Sequence, residues 1–106
     1  MLAYQGTLVH MDKNAQVIER VQTGVRMEKR LLKVLKALAE FHDLTLGDLL
    51  EGIVLHAFDG KSAFQAESLA RIRELKKVYG LDLDSGASHR LTEADKAQVV
   101  RKGKRG

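Results

Sequence analysis

Between Val21 and Phe58 the spacing of apolar positions changes once, from a period of two to a helical period, and the change falls at Glu28. Val21, Thr23, Val25 and Met27 alternate with Arg20, Gln22, Gly24 and Arg26. On a strand this gives one mostly apolar face and one polar, cationic face. From Glu28 onward Leu31, Leu32, Val34, Leu35, Leu38 and Phe41 form the wide apolar stripe of an amphipathic helix, and Lys29, Arg30, Lys33, Lys36 and Glu40 take most of the rest. A polar joint, His42-Asp43-Leu44, leads to Thr45, a good N-cap, with Asp48 favouring the helix start that follows. The second helix runs from about Leu46 to Phe58. Its Leu46, Leu49, Leu50, Ile53, Val54, Ala57 and Phe58 are too many for one stripe, which predicts burial on more than one side.

A lone strand followed by two helices leaves its backbone groups unpaired unless a second copy supplies the missing hydrogen bonds. The pattern therefore predicts a symmetric dimer, with two strands paired antiparallel and Gln22 and Arg26 presented twice on their polar face. A two-stranded ribbon fits the DNA major groove. The second helix is a poor reading head, because its polar side chains are only Asp48, Glu51 and His56, and the carboxylates repel phosphate.

The segment TGVRM, running directly into EKRLLKVLKALAEF, the joint HDLT and the helix LGDLLEGIVLHAF, resembles the ribbon-helix-helix family of dimeric repressors of the Arc/MetJ/CopG type. The resemblance covers about residues 20–58. It implies a mainly α fold, an intertwined homodimer with a two-stranded antiparallel intersubunit β-ribbon, here with an additional C-terminal helix. Carried over by position, it makes Gln22, Gly24 and Arg26 the base-contacting residues and Thr45, Leu46 and Gly47 a phosphate clamp on the DNA backbone; the charges beside them, Arg20, Lys29 and Arg30, are expected on the backbone as well. The start of the second helix suits that role, since free N–H groups at a helix N-terminus bind anions. Val25, Met27, Leu35, Leu38, Leu49, Ile53 and Val54 would form the dimer core. Two positions depart from the family: Gly24 has no side chain to reach a base, and Asp43 stands in the joint where the family usually has a left-handed glycine.

The flanks carry weaker patterns. Residues 1–19 read as a flexible arm, or as a hairpin turning at Asp12-Lys13-Asn14, ahead of the domain at 20–59. After Gly60 a third amphipathic helix is expected over 60–80, with Ser62 as its N-cap, Gly80 as its end, and an apolar stripe of Phe64, Leu69, Ile72, Leu75 and Tyr79. That stripe packs on the two-helix core or, alternatively, docks a protein partner through residues 61–80. Residues 81–106 read as a partly disordered basic tail with room for a short helix at Thr92.

A chain of 106 residues makes one small domain with tails, a size at which a core is marginal alone and dimerisation helps. The net charge of +4 sits largely at the end: Lys96, Arg101, Lys102, Lys104 and Arg105 are five of the eighteen basic residues, leaving thirteen against fourteen acidic ones elsewhere. The proposed DNA face must therefore work by local placement, with the tail adding nonspecific phosphate affinity or serving as a solvated end. The absence of cysteine excludes disulfides and thiolate metal sites and suits a reducing compartment. No long apolar run or secretory leader is visible, so a cytoplasmic, nucleoid-associated protein of a bacterium or archaeon is expected. His10, His42, His56 and His89 lack paired ligand spacing, and Gly24, Gly47, Gly52 and Gly60 form no phosphate loop. No enzyme, cofactor or metal is expected. The function expected is that of a homodimeric, sequence-specific DNA-binding transcriptional regulator of repressor type. The alternatives are the antitoxin of a toxin-antitoxin pair, or a dimerisation and scaffold module that does not read DNA.

Overall fold

The computed structural model describes residues 15–94, and among them the regular elements are three α-helices and one 3-10 turn. Helix α1 spans Lys29–Phe41, α2 Leu46–Phe58 and α3 Ala66–Tyr79; the turn is Ser85–Ala87. Residues 15–28 form neither helix nor strand. This corrects the ribbon-helix-helix expectation: there is no β-strand among the described residues, and hence no ribbon. The physical reason is the one that made a lone strand suspect. A strand exists through its ladder, and among the described residues nothing pairs with Val21 to Met27. The fold is a three-helix arrangement preceded by an irregular segment.

Each helix begins and ends for local reasons. The Glu28 carboxylate accepts the Leu31 N–H at 2.8 Å and caps α1, while Thr45 Oγ1 accepts the Asp48 N–H at 3.1 Å and caps α2. Ser62 does not cap α3. Its hydroxyl is taken up by the Phe64 backbone, and the N-cap is Gln65, which makes no side-chain cap bond. The three C-termini share one device, in which a left-handed residue lets two further N–H groups turn back onto the last carbonyls. At α1, Leu44 N–H reaches Ala39 O at 2.9 Å and Asp43 N–H reaches Glu40 O at 3.1 Å, with Asp43 at φ 56°. Gly60 (φ 70°) does the same after α2, and Gly80 (φ 66°) after α3.

Helix α1 is the hub. It packs along α3 and more briefly against α2. The α1–α3 pair is antiparallel: Arg30 at the start of α1 donates to Gly80 O at 2.8 Å, and the Phe41 ring at its end lies 4.3 Å beneath the Arg71 guanidinium near the start of α3. Leu38, Ala39 and Leu49 form the central cluster, and Leu35, Ile53, Phe64, Ile72 and Leu75 pack against it. Val34 and Leu81 are buried as well.

The core is smaller than the apolar pattern predicts. In α2 only Leu49 is buried; Val54 and Leu55 are exposed and Phe58 is 81% exposed, so the expectation of burial on several sides is corrected for the single chain. Helix α1 packs on one side of α2, and among the described residues no other helix packs on α2. Of the expected dimer core, Leu38 and Leu49 lie in the intrachain core, Met27, Leu35 and Ile53 are half-buried, and Val25 and Val54 are exposed. Within residues 81–94 the Asp84 carboxylate accepts the Gly86 N–H at 2.9 Å and sets the 3-10 turn. The suggested hairpin near Asp12 and the basic tail from Lys96 lie outside the described residues.

Candidate nucleic-acid interface

Residues 15–26 are exposed throughout, so Gln22, Gly24 and Arg26 stand in solvent just ahead of α1. A side chain at Gly24 would meet nothing within 4 Å. Lys29 is exposed at the first position of α1, and Arg30 beside it is half-buried. Thr45, Leu46 and Gly47 open α2. The first intrahelical bond there is Leu49 N–H to Thr45 O, and Asp48 N–H is taken by the Thr45 hydroxyl, which leaves the Leu46 and Gly47 amides ahead of the helical ladder.

Arg20 joins two of these groups. Its Nε and Nη2 donate to the two Glu51 oxygens at 2.9 and 2.7 Å, and Nη2 also donates to Asp48 Oδ1 at 3.0 Å. The segment before α1 is thereby tied to the first two turns of α2. The remaining arginines face elsewhere. Arg26 forks onto the Glu93 carboxylate, with Nε to Oε1 at 2.9 Å and Nη2 to Oε2. Arg30 donates from Nε to Glu28 at 3.0 Å, and its Nη1 lies 3.1 Å from Asp82. These contacts tune the carboxylates. Hydrogen bonds from Arg20 and Arg26 hold Glu51 and Glu93 below the usual carboxylate range. Partial burial pushes Glu28 upward, but the Leu31 amide and Arg30 outweigh it and the net direction is down.

The acidic partners were not legible beforehand. Asp48 reads as a helix-start residue and, with Glu51, as a charge that repels phosphate, and nothing in the spacing links Glu93 to Arg26 across 67 positions. A second feature missed is an open groove of about 490 Å³ between the α1–α2 joint, α2 and the start of α3. Leu44, Leu49, Ile53 and Phe64 line it together with His42 and His56, which look unrelated in sequence. His42 Nε2 lies 3.1 Å from Ser68 Oγ, and His56 Nδ1 is 2.7 Å from Gly52 O, so each ring is oriented by its own hydrogen bond. Among the described residues, no group of three or more His, Cys, Asp or Glu side chains is arranged to hold a metal ion. None of the described helices is long and apolar enough to cross a membrane.

Compared with known proteins, the chain matches no family model, no curated protein and no solved structure.

Proposed function

We propose that the chain is a homodimeric DNA-binding regulator whose irregular cationic segment ahead of α1 meets the base edges. The observation that carries this reading is the continuous exposure of residues 15–26, with Gln22 and Arg26 in solvent directly before Lys29 and Arg30. Arg and Gln are the side chains suited to guanine and adenine edges, while lysine and arginine at a helix start hold phosphates. The Arg20 tie keeps this segment beside the amino end of α2, where Leu46 and Gly47 offer backbone amides to a phosphate. Doubling the segment through a dimer doubles its phosphate contacts, which a nearly neutral body needs.

The test is selection of duplexes from a random pool with the full chain, followed by fluorescence anisotropy on the selected and scrambled duplexes over a salt series. Selective binding is expected, and Arg26→Ala should weaken it by roughly 5- to 150-fold per lost contact, from about 1–3 kcal/mol of discrimination. Equal affinity for both duplexes, indifferent to Arg26, would overturn the reading and leave only phosphate attraction.

A second reading is favoured by a different observation. Val17, Val21 and Val25 before α1, and Val54, Leu55 and Phe58 on α2, are large apolar side chains in solvent. A module that joins protein chains without reading DNA uses that surface and makes no demand on Gln22 or Arg26. A dimer without duplex selectivity supports it.

A further inference from the structure

Three arginines at or near the proposed DNA face each meet carboxylates, and the carboxylates come from different stretches of chain. Arg20 holds Glu51 and Asp48 of α2, Arg30 holds Glu28 beside it and Asp82 just after α3, and Arg26 holds Glu93 near the end of the described residues. The first two sets belong to the helical frame. Arg20 engages residues fixed on α2 and so orients the segment against that helix, while Arg30, itself on α1, donates to Gly80 O and ties α1 to the end of α3. The third differs. Glu93 lies beyond the 3-10 turn in a stretch without regular structure, and both partners stand in solvent, with Arg26 82% and Glu93 64% exposed.

The form of the contact matters. Glu93 presents both oxygens to Nε and Nη2 of Arg26, the planar two-bond fork a guanidinium also offers to a phosphate or to the acceptor edge of guanine. The donors that would reach DNA are those the carboxylate uses, and a duplex phosphate near Arg26 would be repelled by Glu93 in place. Because the pair is solvent-exposed, it is weak and open to displacement rather than a fixed part of the fold.

We propose that the stretch carrying Glu93 is an intramolecular competitor for nucleic acid: it occupies the Arg26 fork in the free protein and must leave before Arg26 engages DNA. The inference rests on the DNA reading above. Binding affinity is then reduced by the fraction of molecules in which the fork is closed. For an exposed pair the expected reduction is about three- to fivefold. Glu93 thus weakens, by one common factor, every duplex contact that uses Arg26.

The test uses the full chain with Glu93→Gln, with Glu40→Gln as a control that removes the same charge from an exposed position on α1. Two readouts are taken: the Arg26 Nε–H resonance in the free protein by nitrogen-15 NMR, and anisotropy on a duplex selected by the wild type. The expected result is an Arg26 resonance shifted by Glu93→Gln and not by Glu40→Gln, with duplex binding three- to fivefold tighter for Glu93→Gln alone. The gain should vanish when Arg26→Ala is added, because the carboxylate acts through that arginine. An unshifted resonance overturns the contact. A shifted resonance with no tighter binding than Glu40→Gln overturns the competition while leaving the DNA reading in place. Absence of duplex selectivity in every variant means that the DNA reading itself has failed, and the competitor role falls with it; the resonance still reports whether the contact exists.

Discussion

Asp43 shows how a single residue ends a helix without the residue type that usually does so. Its φ of 56° is the left-handed conformation most easily adopted by glycine, which aspartate reaches at modest cost. The return is two backbone bonds onto Ala39 and Glu40 that close α1 in a two-residue turn. Gly60 and Gly80 do the same work and were legible as stops; Asp43 read as a departure from a glycine pattern because a residue type does not declare its φ. Glu28 carries a second residue-scale effect. As the cap of α1 its carboxylate is held below its ordinary range, so it contributes stability above the unfolded value of about 4.3 and loses it as pH falls through the lower folded value. Glu28→Ala should therefore cost about 1 kcal/mol at pH 7, the usual cost of a lost cap, and less at strongly acidic pH, as the wild-type side chain takes up its proton. Urea unfolding at the two pH values checks this; an equal loss at both would mean that the charge plays no part.

At the scale of elements, the three helices differ in what holds them. Helices α1 and α3 support one another along an antiparallel contact, reinforced at its ends by Arg30 on Gly80 O and Arg71 over Phe41. Helix α2 touches this pair mainly through Leu49 and Ile53 and leaves its last turn in solvent. Stability therefore concentrates at Leu38, which is 1% exposed at the crossing of all three contributions. Leu38→Ala should destabilise the fold by about 2–5 kcal/mol, through lost burial and the cavity left behind. Val78→Ala, at an exposed position of α3, should change it by less than about 0.5 kcal/mol. Thermal melts of the two variants separate a core at α1 from one spread evenly, which would give similar losses.

For the whole molecule, the unresolved demand is the uncovered apolar surface. Phe58, Leu55 and Val54 on α2, with Val21 and Val25 before α1, would lose water by meeting a second copy, at roughly 25 cal/mol per Å² of apolar area buried. A dimer is therefore expected. Sedimentation velocity should give twice the 11.8 kDa chain mass at micromolar concentration, and Phe58→Asp should restore the monomer with its helical circular dichroism intact, because Phe58 packs on little in its own chain. A wild-type monomer across the accessible concentration range would remove the dimer from the proposed function.

The sequence by itself determined α1 and α2 nearly to the residue and the end of α3 at Gly80, because apolar period, the Thr45 cap and the glycine stop act within a few positions of where they are read. It also marked Gln22 and Arg26 as polar side chains ahead of a helix. Only the tertiary structure decided the rest: that residues 15–28 form no strand, that the apolar side chains of α2 outnumber the neighbours the chain supplies, and that Arg20 and Arg26 meet Glu51 and Glu93. Strand pairing, burial and ion pairing are relations between distant positions. Hydrophobic spacing reports which side of an element shuns water, and leaves open what, if anything, comes to cover it.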